Sequence, residues 1–162
     1  MTGVQTCALP ISLPTAVPVS AALAAARMGM DITVAAPEGC DLDPEDVTRI
    51  QSLAREAGGG AIAVVHDQSA AIAGADAVYA KSWGPVSLFG RPDAQRAWFD
   101  PHRNWRLTAE QMRTTRAGKG IAMHCLPVRR NVEIDDAVLD GPQSVVVDEA
   151  ENRLHVQRAL LL

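Results

Sequence analysis

Short apolar runs rich in β-branched residues alternate along this chain with stretches whose apolar positions recur at helical spacing. Residues 16–28 are Ala-rich, follow Ser12 and Thr15, carry Pro18 in the first turn and stop at Gly29, which predicts a helix. Residues 31–36 (Asp31-Ile32-Thr33-Val34-Ala35-Ala36), closed by Pro37, predict a buried strand. Asp43-Pro44-Glu45-Asp46 then opens a second helix. It offers a capping carboxylate, a proline at the first helical position and acids at the positive end of the dipole. Val47, Ile50, Leu53 and Ala54 give that helix one apolar face, and Gly58-Gly59-Gly60 ends it. The same alternation predicts strands over 61–65, 76–80, 120–123 and 144–147. It predicts helices over 69–73, from Thr108, over 134–139 and over 150–162. Residues 84–106, with Pro85, Gly90, Pro92 and Pro101, read as one long connection of the kind that forms lids or binding loops. Strand and helix in alternation imply an α/β fold in three layers, a parallel sheet covered on both faces.

Residues 1–11 stand apart from this pattern. Met1-Thr2-Gly3-Val4-Gln5-Thr6-Cys7-Ala8-Leu9-Pro10-Ile11 matches the translation of a common short-read sequencing adapter and is set aside as an artefact of assembly, leaving 12–162 as the domain. The 162 residues are 48% hydrophobic, enough for one core, and the net charge of −4 argues against nucleic acid or an anionic membrane as partner. A small-molecule ligand fits better. With Cys7 set aside, Cys40 and Cys125 point to a reducing cytoplasm, and no run reaches the ~20 apolar residues needed to span a bilayer.

Chemistry concentrates where strands end. Gly120-Ile121-Ala122-Met123 empties into His124-Cys125-Leu126-Pro127-Val128-Arg129-Arg130-Asn131, so backbone amides, a thiol and guanidinium groups gather in one polar loop. Ligands of open α/β sheets bind beyond the carboxyl ends of strands. Lys81, with Ser82, Trp83 and Gly84, follows another strand, and Arg153 lies near the start of the last helix. Together they predict a cationic pocket, although a loop lysine is more often simply solvated. Cys125 reads as pocket lining first, packing second and nucleophile third. A nucleophile needs a base within hydrogen-bond reach, and strand neighbours such as His124 point to the opposite face. His124 itself reads as a satisfied, semi-buried histidine. Arg129 and Arg130 are each as readily an exposed basic pair as a binding group. The acids around Arg153 offer it a structural ion pair as an alternative. The histidines lack metal-ligand spacing, and Gly58-Gly59-Gly60 lacks the spacing of a phosphate loop.

His124-Cys125-Leu126-Pro127 is similar to the signature of the ornithine carbamoyltransferase family. Continuing through Arg129-Arg130-Asn131, together with residues 148–157 and Tyr79-Ala80-Lys81-Ser82-Trp83-Gly84, the string resembles the N-acetylornithine/N-succinylornithine branch. The resemblance runs from about Leu13 to the C-terminus. It implies the Rossmann-like C-terminal, amino-acid-binding domain of a two-domain enzyme, lacking its first strand. It implies carbamoyl transfer from carbamoyl phosphate to the δ-amine of an acylated ornithine, with no metal or cofactor, in a cytoplasmic trimer. By motif match, Cys125, Leu126 and Arg153 contact carbamoyl phosphate, Cys125 and Arg153 as catalytic groups. Lys81 and Leu126 hold the acylated ornithine, beside Ser82, and Trp83 walls the acyl pocket. The family's Ser-x-Arg-Thr segment and its His-Pro pair do not occur here, so the chain alone is expected to be inactive. Glu133 stands where some branch members carry a lysine. Ornithine carbamoyltransferase, or a non-catalytic Rossmann-like binding domain, are the alternative readings.

Overall fold

A computed structural model describes residues 16–88 and 90–162; the adapter-like residues 1–11 lie outside them. The element order is α1 (Ala16–Arg27), β1 (Ile32–Ala35), α2 (Pro44–Glu56), β2 (Ile62–Val65), α3 (Gln68–Ile72), β3 (Ala77–Tyr79), α4 (Pro92–Phe99), α5 (Ala109–Thr114), β4 (Ile121–Met123), α6 (Asp136–Leu139) and α7 (Val146–Leu161). Local chemistry accounts for several boundaries. The Asp43 carboxylate accepts from the Glu45 amide with Pro44 at the first helical position, which starts α2. Thr108 and Gln111 form a reciprocal capping box at the start of α5. Gly60 takes φ of 91°, and a Cβ there would sit 2.6 Å from the Met30 carbonyl oxygen, so only glycine admits β2 beside β1.

Both strand pairs are parallel. β1 pairs with β2 in the register Ile32 to Ile62 through Ala35 to Val65, and β3 pairs with β4 in the register Ala77 to Ile121 through Tyr79 to Met123. Among the described residues no ladder joins β1 to β3. Two apolar clusters form the core. One gathers Ala35, Ala71, Ile72, Val78, Leu107, Met112, Ala122 and Ile134; the other packs α1 and α2 on β1 through Ala22, Ala26, Ile32, Val34, Ile50 and Ala54.

Two expectations are corrected. Residues 84–106 are no plain loop, because Pro92 starts the helix α4 and single 3-10 turns occupy Val86–Leu88 and Asp100–His102. The β-branched run at 144–147 forms no strand. Ser144 makes one bridge to Ala122, the Val145 amide donates to the Ala122 carbonyl, and α7 begins at Val146. From Ala150 onward α7 is exposed along its whole length.

Candidate functional site

Parallel pairing of β3 with β4 brings their carboxyl ends side by side, with the Ala80 amide donating to the Met123 carbonyl at 3.0 Å. The segment starting at Lys81 and the segment starting at His124 therefore leave the sheet together. Lys81 is only 8% exposed, and its ammonium has no hydrogen-bond or ion-pair partner among the described residues. The stem is covered while the ammonium is left free of protein partners among the described residues, so such a group suits an anionic ligand.

His124 is fully buried and is held on three sides. Its amide donates to Glu149 Oε2 at 3.0 Å, its Nε2 faces Glu133 Oε2 at 2.8 Å, and its Nδ1 accepts from the Leu126 amide at 2.9 Å. Leu126 turns the chain with φ of 49°. Glu149 also accepts from the Tyr79 hydroxyl at 2.6 Å, so the first turn of α7 braces both strand ends. Burial, the Glu149 bond and the nearby Cys125 thiol push the Tyr79 pKa well above its ordinary value, and the phenol stays protonated. Cys125 is half-buried and unpaired beside it. Because both ring nitrogens of His124 are engaged elsewhere, His124 is not placed as a base for Cys125.

Glu133 is 1% exposed and accepts from Ser82 Oγ at 2.6 Å, Arg129 Nε at 2.6 Å and His124 Nε2. Burial alone would raise its pKa, but hydrogen bonds from His124, Ser82 and Arg129 outweigh that and bring it to about 2. Sequence reading noted only that Glu133 departs from some relatives. His124 and Arg129 lie in the loop just before it, but Ser82 lies 51 positions away on another loop, and no spacing rule reaches it.

Beside this group lies a cavity of about 440 Å³, lined by Ser82, Trp83, Trp98, Phe99, Arg96 and Arg129 among others. Trp83 is 3% exposed and stacks on Phe99 with centroids 4.2 Å apart, and its Nε1 donates to the Trp105 carbonyl at 2.8 Å. The Arg129 guanidinium lies 5.6 Å from the Phe99 centroid. The arginine pair thus divides. Arg130 is tied to Asp136 and Asp140 on the surface, whereas Arg129 borders the cavity. Arg153 is exposed on α7 and lines, with Glu149, Asn152, Val156 and Gln157, a separate shallow groove. No ion pair holds Arg153 among the described residues. The site residues named from sequence therefore fall into three groups: Ser82 and Trp83 on the cavity, Arg153 on the separate groove, and Lys81, Cys125 and Leu126 at the strand ends, lining neither.

The profile described as aspartate/ornithine carbamoyltransferase, Asp/Orn binding domain, matches residues 14–162. The chain belongs to this carbamoyltransferase family. An N-acetylornithine carbamoyltransferase of Xanthomonas campestris pv. campestris is 41% identical over 152 residues, which cover 94% of this chain and 44% of that protein. An ornithine carbamoyltransferase of Symbiobacterium thermophilum is 43% identical over 136 residues, covering 84% of this chain and 42% of that protein. Among solved structures, a mutant N-acetyl-L-ornithine transcarbamylase complexed with carbamyl phosphate and N-succinyl-L-norvaline superposes with a TM-score of 0.87 at 40% identity. It covers 99% of this chain and 49% of that one. An acetylornithine transcarbamylase complexed with acetylcitrulline gives the same TM-score at 39% identity. This carbamoyltransferase chain spans about half the length of the curated relatives it matches. No helix among its described residues is long and apolar enough to cross a membrane, and no group of three or more His, Cys, Asp or Glu side chains converges as a metal site there.

Proposed function

We propose that this chain is the amino-acid-binding half of an enzyme that transfers the carbamoyl group of carbamoyl phosphate to the δ-amine of an N-acylated ornithine. The neutral amine nitrogen bonds to the carbonyl carbon and then gives up a proton. The bond from that carbon to the phosphate oxygen breaks, and phosphate leaves with the electron pair. Such a reaction needs placement of two substrates and stabilisation of charge on the carbonyl oxygen and the departing phosphate. In this reading Cys125, the Leu126 backbone and Arg153 contact carbamoyl phosphate. Lys81, Leu126 and Ser82 hold the acylated ornithine, and Trp83 walls the acyl pocket. Arg129 joins them at the cavity rim. The observation that carries the reading is the convergence at the ends of β3 and β4: a lysine with a covered stem and an ammonium without protein partner among the described residues, the Cys125 loop and an aromatic-floored cavity bordered by a guanidinium.

The likeness to an ornithine carbamoyltransferase at 43% identity favours a second reading, in which free ornithine is the acceptor. The aromatic floor under Trp83 favours the acylated substrate, because an apolar acyl group gains from that surface and a free α-ammonium does not. Assay of the complete enzyme carrying this chain decides between them. Carbamoylation of N-acetyl- or N-succinyl-ornithine is expected; turnover of ornithine alone supports the second reading, and no turnover of any of the three refutes both. The same proposal extends to a cytoplasmic homotrimer, checked by light scattering of the complete enzyme, and to negligible turnover by this chain alone.

A further inference from the structure

Helix α7 is held by its first turn. Val146 is its single buried residue, the Val145 amide donates to the Ala122 carbonyl at 3.0 Å, and every residue from Ala150 onward is exposed. Among the described residues, Glu149 is the only side chain of α7 that bonds outside the helix. Its Oε1 accepts from the Tyr79 hydroxyl at 2.6 Å and its Oε2 from the His124 amide at 3.0 Å. Tyr79 ends β3 and His124 follows β4, so one carboxylate pins the helix to both strand ends. Arg153 lies one turn beyond Glu149 on the same face of α7, and the two line the shallow groove together. A helix held at its base passes any change of tilt to the residues above it. The Tyr79 hydroxyl that Glu149 binds also lies beside the Cys125 thiol. The Glu149 contacts therefore fix where the Arg153 guanidinium stands relative to the Cys125 loop.

Resting on the carbamoyl phosphate contacts proposed above, we infer that Glu149 is a positioning residue for the phosphate side of the site, setting Arg153 against Cys125 through its bonds to the Tyr79 hydroxyl and the His124 amide. Charge alone works in the opposite direction. A carboxylate one turn from a phosphate-gripping arginine repels the phosphate, so its loss strengthens binding if Glu149 does nothing else. Asp148 isolates that effect. It carries the same charge on the same turn, is exposed, and has no hydrogen-bond or ion-pair partner among the described residues.

Calorimetric titration of the complete enzyme with inorganic phosphate, the product of the proposed reaction, tests this. E149A is expected to weaken phosphate binding about tenfold or more, the effect of losing two hydrogen bonds to a charged group, whereas D148A binds as tightly as wild type or tighter. Y79F removes one hydroxyl and no charge; it is expected to weaken binding about threefold and carries the test if E149A does not fold. A lower thermal midpoint with phosphate binding at wild-type strength overturns the inference and leaves Glu149 a structural residue only. Equal weakening by D148A and E149A overturns it as well, since the two then share no more than their charge. The titration uses no amine substrate. A wild-type enzyme that binds no phosphate sinks the functional reading and this inference with it, and one that binds phosphate but does not carbamoylate acylornithine sinks the choice of amine alone. Both outcomes are distinguishable from a wild type that binds phosphate and variants that bind it equally well.

Discussion

Acidification isolates the contribution of Glu133 to stability. Its carboxyl ordinarily titrates at 4.5 and in the fold at about 2, because three donors prefer the charged form despite complete burial. A folded value below the unfolded one means that the stabilisation is fully present above pH 4.5 and is lost as pH falls from there through about 2. That interval is worth roughly 3 kcal/mol at neutral pH. Other carboxylates titrate in the same range, including Asp136 and Asp140, both lowered by hydrogen bonds from Arg130, so the wild-type curve alone cannot be assigned. The difference between wild type and E133Q can. Urea unfolding followed by circular dichroism at a series of pH values is expected to show wild type ahead at neutral pH, with the gap closing by roughly 3 kcal/mol on acidification through that window. Two curves that stay parallel from neutral pH downward would refute the hydrogen-bond argument for Glu133.

Three other perturbations probe the packing around the site. Trp83→Ala removes a buried indole stacked on Phe99 and is expected to cost about 3–5 kcal/mol in urea unfolding; a loss below about 1 kcal/mol would mean that Trp83 is not part of the core. Gly120→Ala places a methyl 2.6 Å from Thr115 Cβ and 2.9 Å from the Ala75 carbonyl oxygen beneath β4. It is expected to destabilise by about 1–3 kcal/mol, and an unchanged urea midpoint contradicts this packing. Burial, only partly offset by a hydrogen bond from the Gly84 backbone, pushes the Cys40 thiol up to about 11, whereas Cys125 is half-buried at the site. Iodoacetamide in mildly alkaline buffer is expected to modify Cys125 well before Cys40, as read by peptide mass spectrometry, and the reverse order would count against this placement.

Elements whose signal is local were legible in the sequence. Asp43-Pro44 and the Thr108–Gln111 box announce α2 and α5 because a cap is built within four residues of chain. α4 escaped because Pro92 and the neighbouring prolines read as breakers, although proline at a first helical position favours a helix. The valines at 145–147 read as a strand because propensity cannot register that β4 offers only one bridge there before α7 turns away. Lys81, Ser82, Trp83, Cys125 and Leu126 were legible as strand-end residues. Glu133 was not, since its meaning rests on Ser82, 51 positions away in sequence. Nor was the separation of Arg129 from Arg130, which depends on which acids lie opposite each one.

The central claim is that the cleft at the ends of β3 and β4 receives an acylated amino acid, and titration of this chain with N-acetyl- and N-succinyl-L-norvaline tests it most directly. Followed by 15N NMR of backbone and indole groups, binding is predicted to move Lys81, Ser82, Trp83 and Leu126 together. Saturating ligand that leaves these four unmoved, or that perturbs only the α1–α2 side of the molecule, would contradict it.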